Sequence, residues 1–96
     1  MSYETSMSGI RAALVRLHVS ANDVANANTE GHTDHRVVNR ARTGGGVEAT
    51  VERTDDPVSL VQEVGEQIIA RHELKANAAA LRATIDADNT VFDLLA

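Results

Sequence analysis

Apolar side chains recur with a strict 3,4 spacing in the N-terminal part of the chain. The stripe ends in a polar residue and consists of Met7, Ile10, Leu14, Leu17, Ala21, Val24 and Asn28. This spacing places the side chains on one helix face and is typical of a coiled-coil seam. Thr5 or Ser6 can cap the start, and Gly31 is a natural stop. The pattern therefore predicts a helix from about residue 6 to residue 28.

Between residues 35 and 54 the pattern changes to short segments rich in β-branched residues. They flank Gly44-Gly45-Gly46, which predicts a β-hairpin with the glycines as its loop. An isolated hairpin is barely stable, so we expect it to pack on a helix or on another subunit.

The hairpin register decides what its arginines contact. With the three glycines as the loop, Arg42 would lie opposite Glu48. We then expect Arg36, Arg40 and Arg42 to pair with Glu48 and Glu52 across the strands, and we favour this over contact with an anionic partner.

A second helical pattern fills the C-terminal part. Asp56 is a good N-cap and Pro57 suits the first helical position, so the pattern predicts a helix over residues 57–95. Its seam shifts near Arg71, as at a stutter in a coiled coil. Gly65 costs about 1 kcal/mol relative to alanine and marks a bend or a close helix contact. The apolar positions are Val61, Val64, Ile68, Leu74, Ala78, Leu81, Ile85, Phe92 and Leu95.

Together these elements predict one mainly α domain over residues 1–96. Two long antiparallel, coiled-coil-like helices would be joined by the hairpin. The only aromatic residues are Tyr3 and Phe92, which suits narrow helical seams better than a compact core. We expect the helix seam to consist of Met7, Ile10, Leu14, Leu17, Val24, Val61, Val64, Ile68, Leu81, Ile85 and Phe92.

Composition excludes several function classes. Without cysteine, neither disulfides nor thiolate metal sites can form. The formal net charge is -5 and there is one lysine, so the chain lacks the basic surface of a nucleic-acid-binding protein. Its apolar runs are far too short for membrane insertion. The N-terminal region also lacks the apolar stretch of a cleaved signal peptide.

Two motifs could indicate a metal site or a phosphate-binding loop, but simpler interpretations of both are favoured. His32-Thr33-Asp34-His35 offers ligands for Zn²⁺, yet they are few and lie in a predicted loop, so we expect a solvated loop and neither metal nor cofactor. The three glycines lack the Lys-Ser/Thr of a phosphate-binding loop. No serine has an arranged histidine and acid, and the acidic residues are spread over helix faces. We therefore predict no catalytic residues and no enzyme activity.

The run from Met7 to His32 resembles the N-terminal signature of bacterial flagellar axial proteins, the rod, hook and hook–filament junction subunits. That signature reads Ala-Asn-Asn-aliphatic-Ala-Asn-Ala-Asn-Thr, then an acidic residue or proline, glycine and an aromatic residue. The chain has Ala21-Asn22-Asp23-Val24-Ala25-Asn26-Ala27-Asn28-Thr29-Glu30-Gly31-His32. Asp23 replaces the usual second asparagine, and His32 the usual aromatic residue.

The C-terminal part is similar to the same family. Leu60-Val61-Gln62-Glu63-Val64 matches the aliphatic-Val-x-Glu start of the family's C-terminal helix, and Ala76-Asn77-Ala78 matches its Ala-Asn-Ala. In that family the terminal helices pair and pack into the innermost tube of the axial structure. Most members carry a β-rich domain between the helices. Only a hairpin fills that place here, so the chain resembles a minimal rod-like member.

The resemblance implies a structural subunit of the flagellar basal body, exported by the type III flagellar apparatus without a cleaved signal and cytoplasmic before export. Its partners would be copies of itself, as a homo-oligomer, or other axial proteins. Small and amide side chains would set the register between subunits, because polar residues in a seam specify register. This assembly motif comprises Ala21, Asn22, Val24, Ala25, Asn26, Asn28, Thr29, Gly31 and Asn77.

Two other functions stay open at this point. The chain could be a cytoplasmic adaptor or regulator that binds an axial protein without polymerising, in which case it would stop at a small defined oligomer. It could also be a helical sensor that uses His32 and His35 for metal, in which case Zn²⁺ would change its stability.

Overall fold

The computed structural model describes residues 3–95. The elements follow in the order α1 (Tyr3–Ala25), β1 (His35–Ala41), β2 (Val47–Arg53) and α2 (Leu60–Leu95). The helices are antiparallel, since Tyr3 hydrogen-bonds Asp88 near the end of α2 and Ser20 contacts Glu63 near its start. The described part measures 62 × 24 × 15 Å. The predicted architecture, two antiparallel helices joined by a β-hairpin, is confirmed.

The first helix lies slightly earlier in the chain than predicted. Thr5 and Ser6 are inside α1, so neither is its cap. The helix ends at Ala25, since the N–H of Asn26 still donates to Asn22 over 3.0 Å but that of Ala27 donates to Val24, only three residues back, over 3.3 Å. The Asn26 side chain also donates to the carbonyl of Asn22 over 2.9 Å. Turns follow and lead to Gly31, whose φ of 80° reverses the chain direction.

The second helix begins after Ser59 and not after Asp56. The Ser59 hydroxyl accepts a hydrogen bond from the N–H of Gln62, as an N-cap does. The predicted cap Asp56 and start Pro57 are therefore wrong. The physical reason is tertiary, since the Asp56 carbonyl accepts the N–H of Asp34 over 2.8 Å and thereby holds this segment against the start of the hairpin.

The hairpin forms within one chain, with a register different from the predicted one. Arg40 lies opposite Glu48, and Arg36 opposite Glu52. The N–H of Arg42 donates to Gly46 over 3.0 Å, so the loop comprises residues 43–45 and the predicted pairing of Arg42 with Glu48 is wrong. All three glycines have positive φ, from 84° to 110°, which explains their clustering here.

The hairpin packs along α1. Both strands contact α1, whereas among the described residues no Cα of either strand lies within 8 Å of a Cα of α2. At the loop end, the N–H of Val47 donates to the Ser8 hydroxyl over 3.1 Å. A Cβ on Gly46 would lie 2.5 Å from that hydroxyl. Glycine thus allows the loop to approach the first turns of α1, and α1 becomes the element that both other parts share.

The face of α1 that meets α2 is not the apolar stripe. It is the neighbouring stripe, one residue earlier, with the same 3,4 spacing. Gly9, Arg16 and Ser20 of this stripe contact α2, and Ser6, Ala13 and Asp23 are buried. The α2 residues that contact this stripe are polar, namely Glu63, Glu66, Gln67, Glu73 and Asn77, and Ala70 between them is fully buried. Within residues 3–95, the buried hydrophobic residues are Ala12, Ala13 and Ala70. Small and polar side chains, not large apolar ones, hold the two helices together.

The predicted seam therefore lies outside the helix pair of the single chain. Ile10, Leu17 and Leu81 are half-buried. The others are exposed: Met7, Leu14, Val24, Val61, Val64, Ile68, Ile85 and Phe92. Val61 is 85% exposed, so for the exposed residues the prediction that they join the two helices of one chain is wrong. Two stripes of equal spacing lie side by side on α1, and the small one allows closer backbone approach.

Candidate functional site

A buried carboxylate, Asp23, lies where α1, the following turn and β1 meet. Its Oδ1 accepts hydrogen bonds from His32 Nε2 over 2.9 Å and from His35 Nδ1 over 2.8 Å. Its Oδ2 accepts the backbone N–H of His35 over 2.8 Å. The Asp23 residue has no exposed surface, so its charge is compensated inside the protein, as buried charges require.

The chain folds this way locally because of the turn after α1. The reversal at Gly31 returns His32 to the last full turn of the helix, and β1 begins with His35. The His32 and His35 rings are 5.5 Å apart between centroids. A carboxylate on the inner stripe of α1 thus receives both imidazoles from one side.

The hydrogen bonds set the charge of Asp23. Burial by itself would raise the pKa of Asp23, but the bonds from the His35 N–H and from both imidazoles outweigh it and lower the pKa below its usual value. Asp23 is therefore ionised at neutral pH and provides a fixed negative charge at this end of the molecule.

Glu63 faces Asp23 from α2 and behaves in the opposite way. It is 2% exposed, and carboxylate oxygens of Asp23, Asp34 and Glu63 lie within 4.8 Å of one another. Burial raises the pKa of Glu63, and the hydrogen bond with Asp34 adds to this; Ser20 only partly offsets it, so the pKa is about 7. Near neutral pH the Glu63 side chain is therefore protonated in part of the molecules and ionised in the rest.

The proton on Glu63 supplies a hydrogen-bond donor where one is missing. The Oδ1 atom of Asp34 is buried and has no hydrogen-bond donor. A protonated Glu63 is a donor, whereas an ionised one is a second negative charge against Asp34. We call the group formed by Asp23, His32, Asp34, His35 and Glu63 the polar cluster. Its hydrogen bonding is therefore most complete when Glu63 is neutral.

Polar contacts continue between the helices beyond the polar cluster. Ser20 donates to the carbonyl of Glu63 over 3.2 Å and accepts from Gln67. Arg16 lies 2.5 Å from Glu66 and 3.6 Å from Glu73. These groups fix the pairing of α1 with α2, because each would lose its partner if the helices slid by a turn.

The predicted assembly motif is only partly brought together. Its exposed members lie at the C-terminal end of α1 and in the turn that follows: Ala21, Asn22, Val24, Ala25, Asn28, Thr29 and Gly31. Asn26 is half-buried. Asn77 does not join them: it lies in the middle of α2 against Gly9. The segment has two faces, since Asp23, which the predicted motif does not include, points into the polar cluster while its neighbours Asn22 and Val24 are exposed.

Residues 32–34 form a loop as predicted, but the interpretation of residues 32–35 as solvated is wrong. His32 and His35 are half-buried and bonded to Asp23. Sequence reasoning missed this site because Asp23 and Glu63 lie far apart in the sequence, on two different helices. One signal was available: Asp23 and His32, where the run departs from the axial-protein pattern, are in direct contact.

A large apolar surface lies on the outer faces of both helices. On α1 it includes Met7 and Leu14, and on α2 it includes Leu60, Val61, Val64, Ile68, Ile69 and Ile85. Beyond the contact of Tyr3 with Asp88, α2 continues with Val91, Phe92, Leu94 and Leu95, all exposed. Large apolar side chains exposed in this number indicate an interaction site.

A comparison of the chain with models of protein families finds no match, and neither does a comparison with curated proteins. Neither described helix is long and apolar enough to cross a membrane.

Proposed function

We propose that this chain is a structural subunit that self-assembles through its paired helices, as a minimal relative of flagellar basal-body rod proteins. The observation that carries the proposal is the arrangement of the helix pair, with small and polar side chains inside and large apolar side chains outside. A chain built to function alone would place these side chains the other way round.

The energetics favour completion by other chains. Burying one Val, Leu, Ile, Phe or Met side chain contributes about 1.5–3 kcal/mol, yet the buried hydrophobic residues of the described chain are three alanines. Ordering each residue costs about 1–2 kcal/mol in backbone entropy. Most of the available hydrophobic free energy is therefore gained only when neighbours cover the outer faces.

Copies of the same chain are suitable neighbours. The exposed stripe of α1 keeps the 3,4 spacing that knobs-into-holes packing needs, and α2 exposes a second apolar surface through Val61, Val64 and Ile68. When one surface of a subunit binds a different surface of the next, the contact is heterologous and can extend into rings or filaments. Two separate apolar helix faces fit this mode of assembly.

The asparagine-rich end supports a role in register. Asn22 and Asn28 are exposed next to small alanines, where a neighbouring helix can approach closely. Their amide groups can donate to and accept from another backbone. By its resemblance to axial proteins, the chain would be exported by the flagellar type III apparatus and act in the basal body.

The test is an immunoblot for the chain in purified hook–basal bodies and in the cytoplasmic fraction. Recovery in basal bodies after salt washing is the expected result. Recovery in the cytoplasm alone would contradict the proposal and favour the adaptor. Sedimentation velocity over a concentration series gives a second answer, because a subunit grows with concentration whereas an adaptor stops at a small defined oligomer.

A further inference from the structure

We propose that Asp23, His32 and His35 form a binding site for a divalent transition-metal ion of the Zn²⁺ type. The ion would join the end of α1 to the turn that follows and to the first residue of β1. This inference is independent of the proposed function, since it concerns the single folded chain.

The donor atoms are of the right kind. Two imidazole nitrogens and one carboxylate oxygen are preferred ligands of Zn²⁺, with water completing a four-coordinate site. Imidazole also suits Co²⁺, Ni²⁺ and Cu²⁺, while it is a poor ligand for Mg²⁺ or Ca²⁺, which prefer oxygen. The proposal is therefore specific to transition metals.

The donor atoms are also nearly in place. His32 Nε2 and His35 Nδ1 lie 2.9 Å and 2.8 Å from the same Oδ1 of Asp23, and one ligand atom of each residue lies within 4.8 Å of the others. Metal–ligand bonds of about 2.0–2.2 Å put neighbouring ligand atoms of a tetrahedral site about 3.3 Å apart. Small movements of the two rings away from Asp23 would open that space.

The carboxylate is held in the orientation that a ligand needs. The backbone N–H of His35 binds Oδ2 of Asp23 over 2.8 Å, which leaves Oδ1 directed at both rings. Such outer contacts orient metal ligands and add to affinity. Because Asp23 is fully buried, it cannot turn towards solvent instead.

An ion can reach the site. The side chains of His32 and His35 are 16% and 29% exposed. A cleft of about 260 Å³ opens beside His35 and is lined by Asp23 and His35 together with His18 and Asn22. The nearby Asp34 has a buried oxygen without a donor, and this oxygen adds negative potential that attracts a cation to the site.

The expected consequence is a metal-dependent gain in stability. The ligands come from the end of one helix and from the turn and strand that follow, so the unfolded chain does not hold them together, and binding energy becomes folding energy. The midpoint of thermal unfolding should therefore rise with the concentration of free Zn²⁺.

The experiment uses the full chain, freed of metal with a chelator and then titrated with Co²⁺ and Zn²⁺. We expect visible Co²⁺ absorption typical of low coordination number, its displacement by Zn²⁺, and a rise in Tm with Zn²⁺. His32→Gln and His35→Asn should abolish all three. Each amide keeps an N–H donor near the nitrogen that it replaces, so the hydrogen bond to Asp23 can persist and the fold remains testable.

His72→Gln is the matched control, since His72 is exposed on α2 and belongs to neither metal-ligand group; it should retain the full response. No Co²⁺ absorption and no change in Tm in the unmodified chain would overturn the proposal. An equal response in His32→Gln, with its circular dichroism unchanged, would overturn it as well.

Discussion

Asn77 of α2 lies directly on Gly9 of α1. A Cβ on Gly9 would lie 2.4 Å from Cγ of Asn77 and 2.3 Å from its Oδ1. Asn77 is held in this position by its own helix, because its Nδ2 donates to the carbonyl of Glu73 over 2.8 Å. The residue that the sequence suggested for contact between subunits thus fixes the distance between the two helices of one chain.

Gly9→Ala should destabilise the protein. Alanine improves helix propensity by about 1 kcal/mol, but the added methyl group overlaps Asn77, and overpacking costs about 1–3 kcal/mol. Gly65→Ala is the control, because a Cβ there meets nothing within 4 Å and the propensity gain of about 1 kcal/mol is kept. Urea unfolding followed by circular dichroism measures both, and a Gly9→Ala variant as stable as Gly65→Ala would show that the helices are farther apart.

The outer apolar face should be required for assembly but not for folding. Val61→Glu with Ile68→Glu places charge on side chains that are 85% and 51% exposed in the single chain, so the helical content should be unchanged while self-association is lost. Gln62→Glu with Ala79→Glu adds the same charge at other exposed positions of α2. Sedimentation velocity should show assembly in this second variant. Assembly of both variants alike would remove the apolar face from the proposal.

The amide side chains should act between subunits. Asn22→Ala with Asn26→Ala removes only local hydrogen bonds inside the chain, for which we expect a loss of about 1 kcal/mol or less. If these residues set subunit register, the variant should fold and fail to form ordered assemblies by electron microscopy. Normal assembly of this double variant would contradict the hypothesis.

Stability should fall as the pH rises through the range in which Glu63 titrates. Its pKa in the folded protein is about 7, above the ordinary 4.5, so the folded state holds a proton that the unfolded state releases. The stabilisation is complete below pH 4.5 and is lost as the pH approaches 7, with a slope of at most about 1.4 kcal/mol per pH unit.

Glu63→Gln tests this dependence, because glutamine stays neutral and keeps a donor for Asp34. Urea midpoints between pH 5 and 8, measured with a chelator present, should fall with pH more steeply in the unmodified chain than in the variant. The difference between the two proteins is the relevant quantity, because every other side chain is the same in both. Parallel pH profiles would contradict the assignment. The lowered pKa of Asp23 affects stability in a different pH range, since the stabilisation that ionised Asp23 contributes is lost only as the pH falls below about 4.

Asp23 and His32 should depend on each other. Asp23→Asn leaves one acceptor oxygen where two now accept three donors, which should cost about 1–3 kcal/mol for the unsatisfied groups. In the double variant with His32→Tyr, which has residues of the axial-protein signature at both positions, part of the loss should be recovered. A double-mutant cycle of unfolding free energies measures this coupling, and strict additivity would show that the two residues act separately.

Local signals in the sequence determined the elements and their order. The 3,4 spacing in the first helix, the glycines at 44–46 and the β-branched segments around them act within a few residues of each other, and the helices and hairpin formed where they predicted. The errors at element ends also have a tertiary cause. Asp56 has good capping chemistry, yet its carbonyl binds Asp34 from the other side of the hairpin, and Ser59 caps α2 instead.

Only the tertiary structure decided which helix face is buried and which polar groups meet. Two stripes with the same spacing run along α1, and periodicity cannot distinguish them. The stripe of Ser6, Gly9 and Ala13 lies against α2 because small side chains allow the backbones to approach, while the apolar stripe stays outside. The polar cluster has the same origin, since Asp23 and Glu63 come together through helix packing that no spacing along the chain encodes.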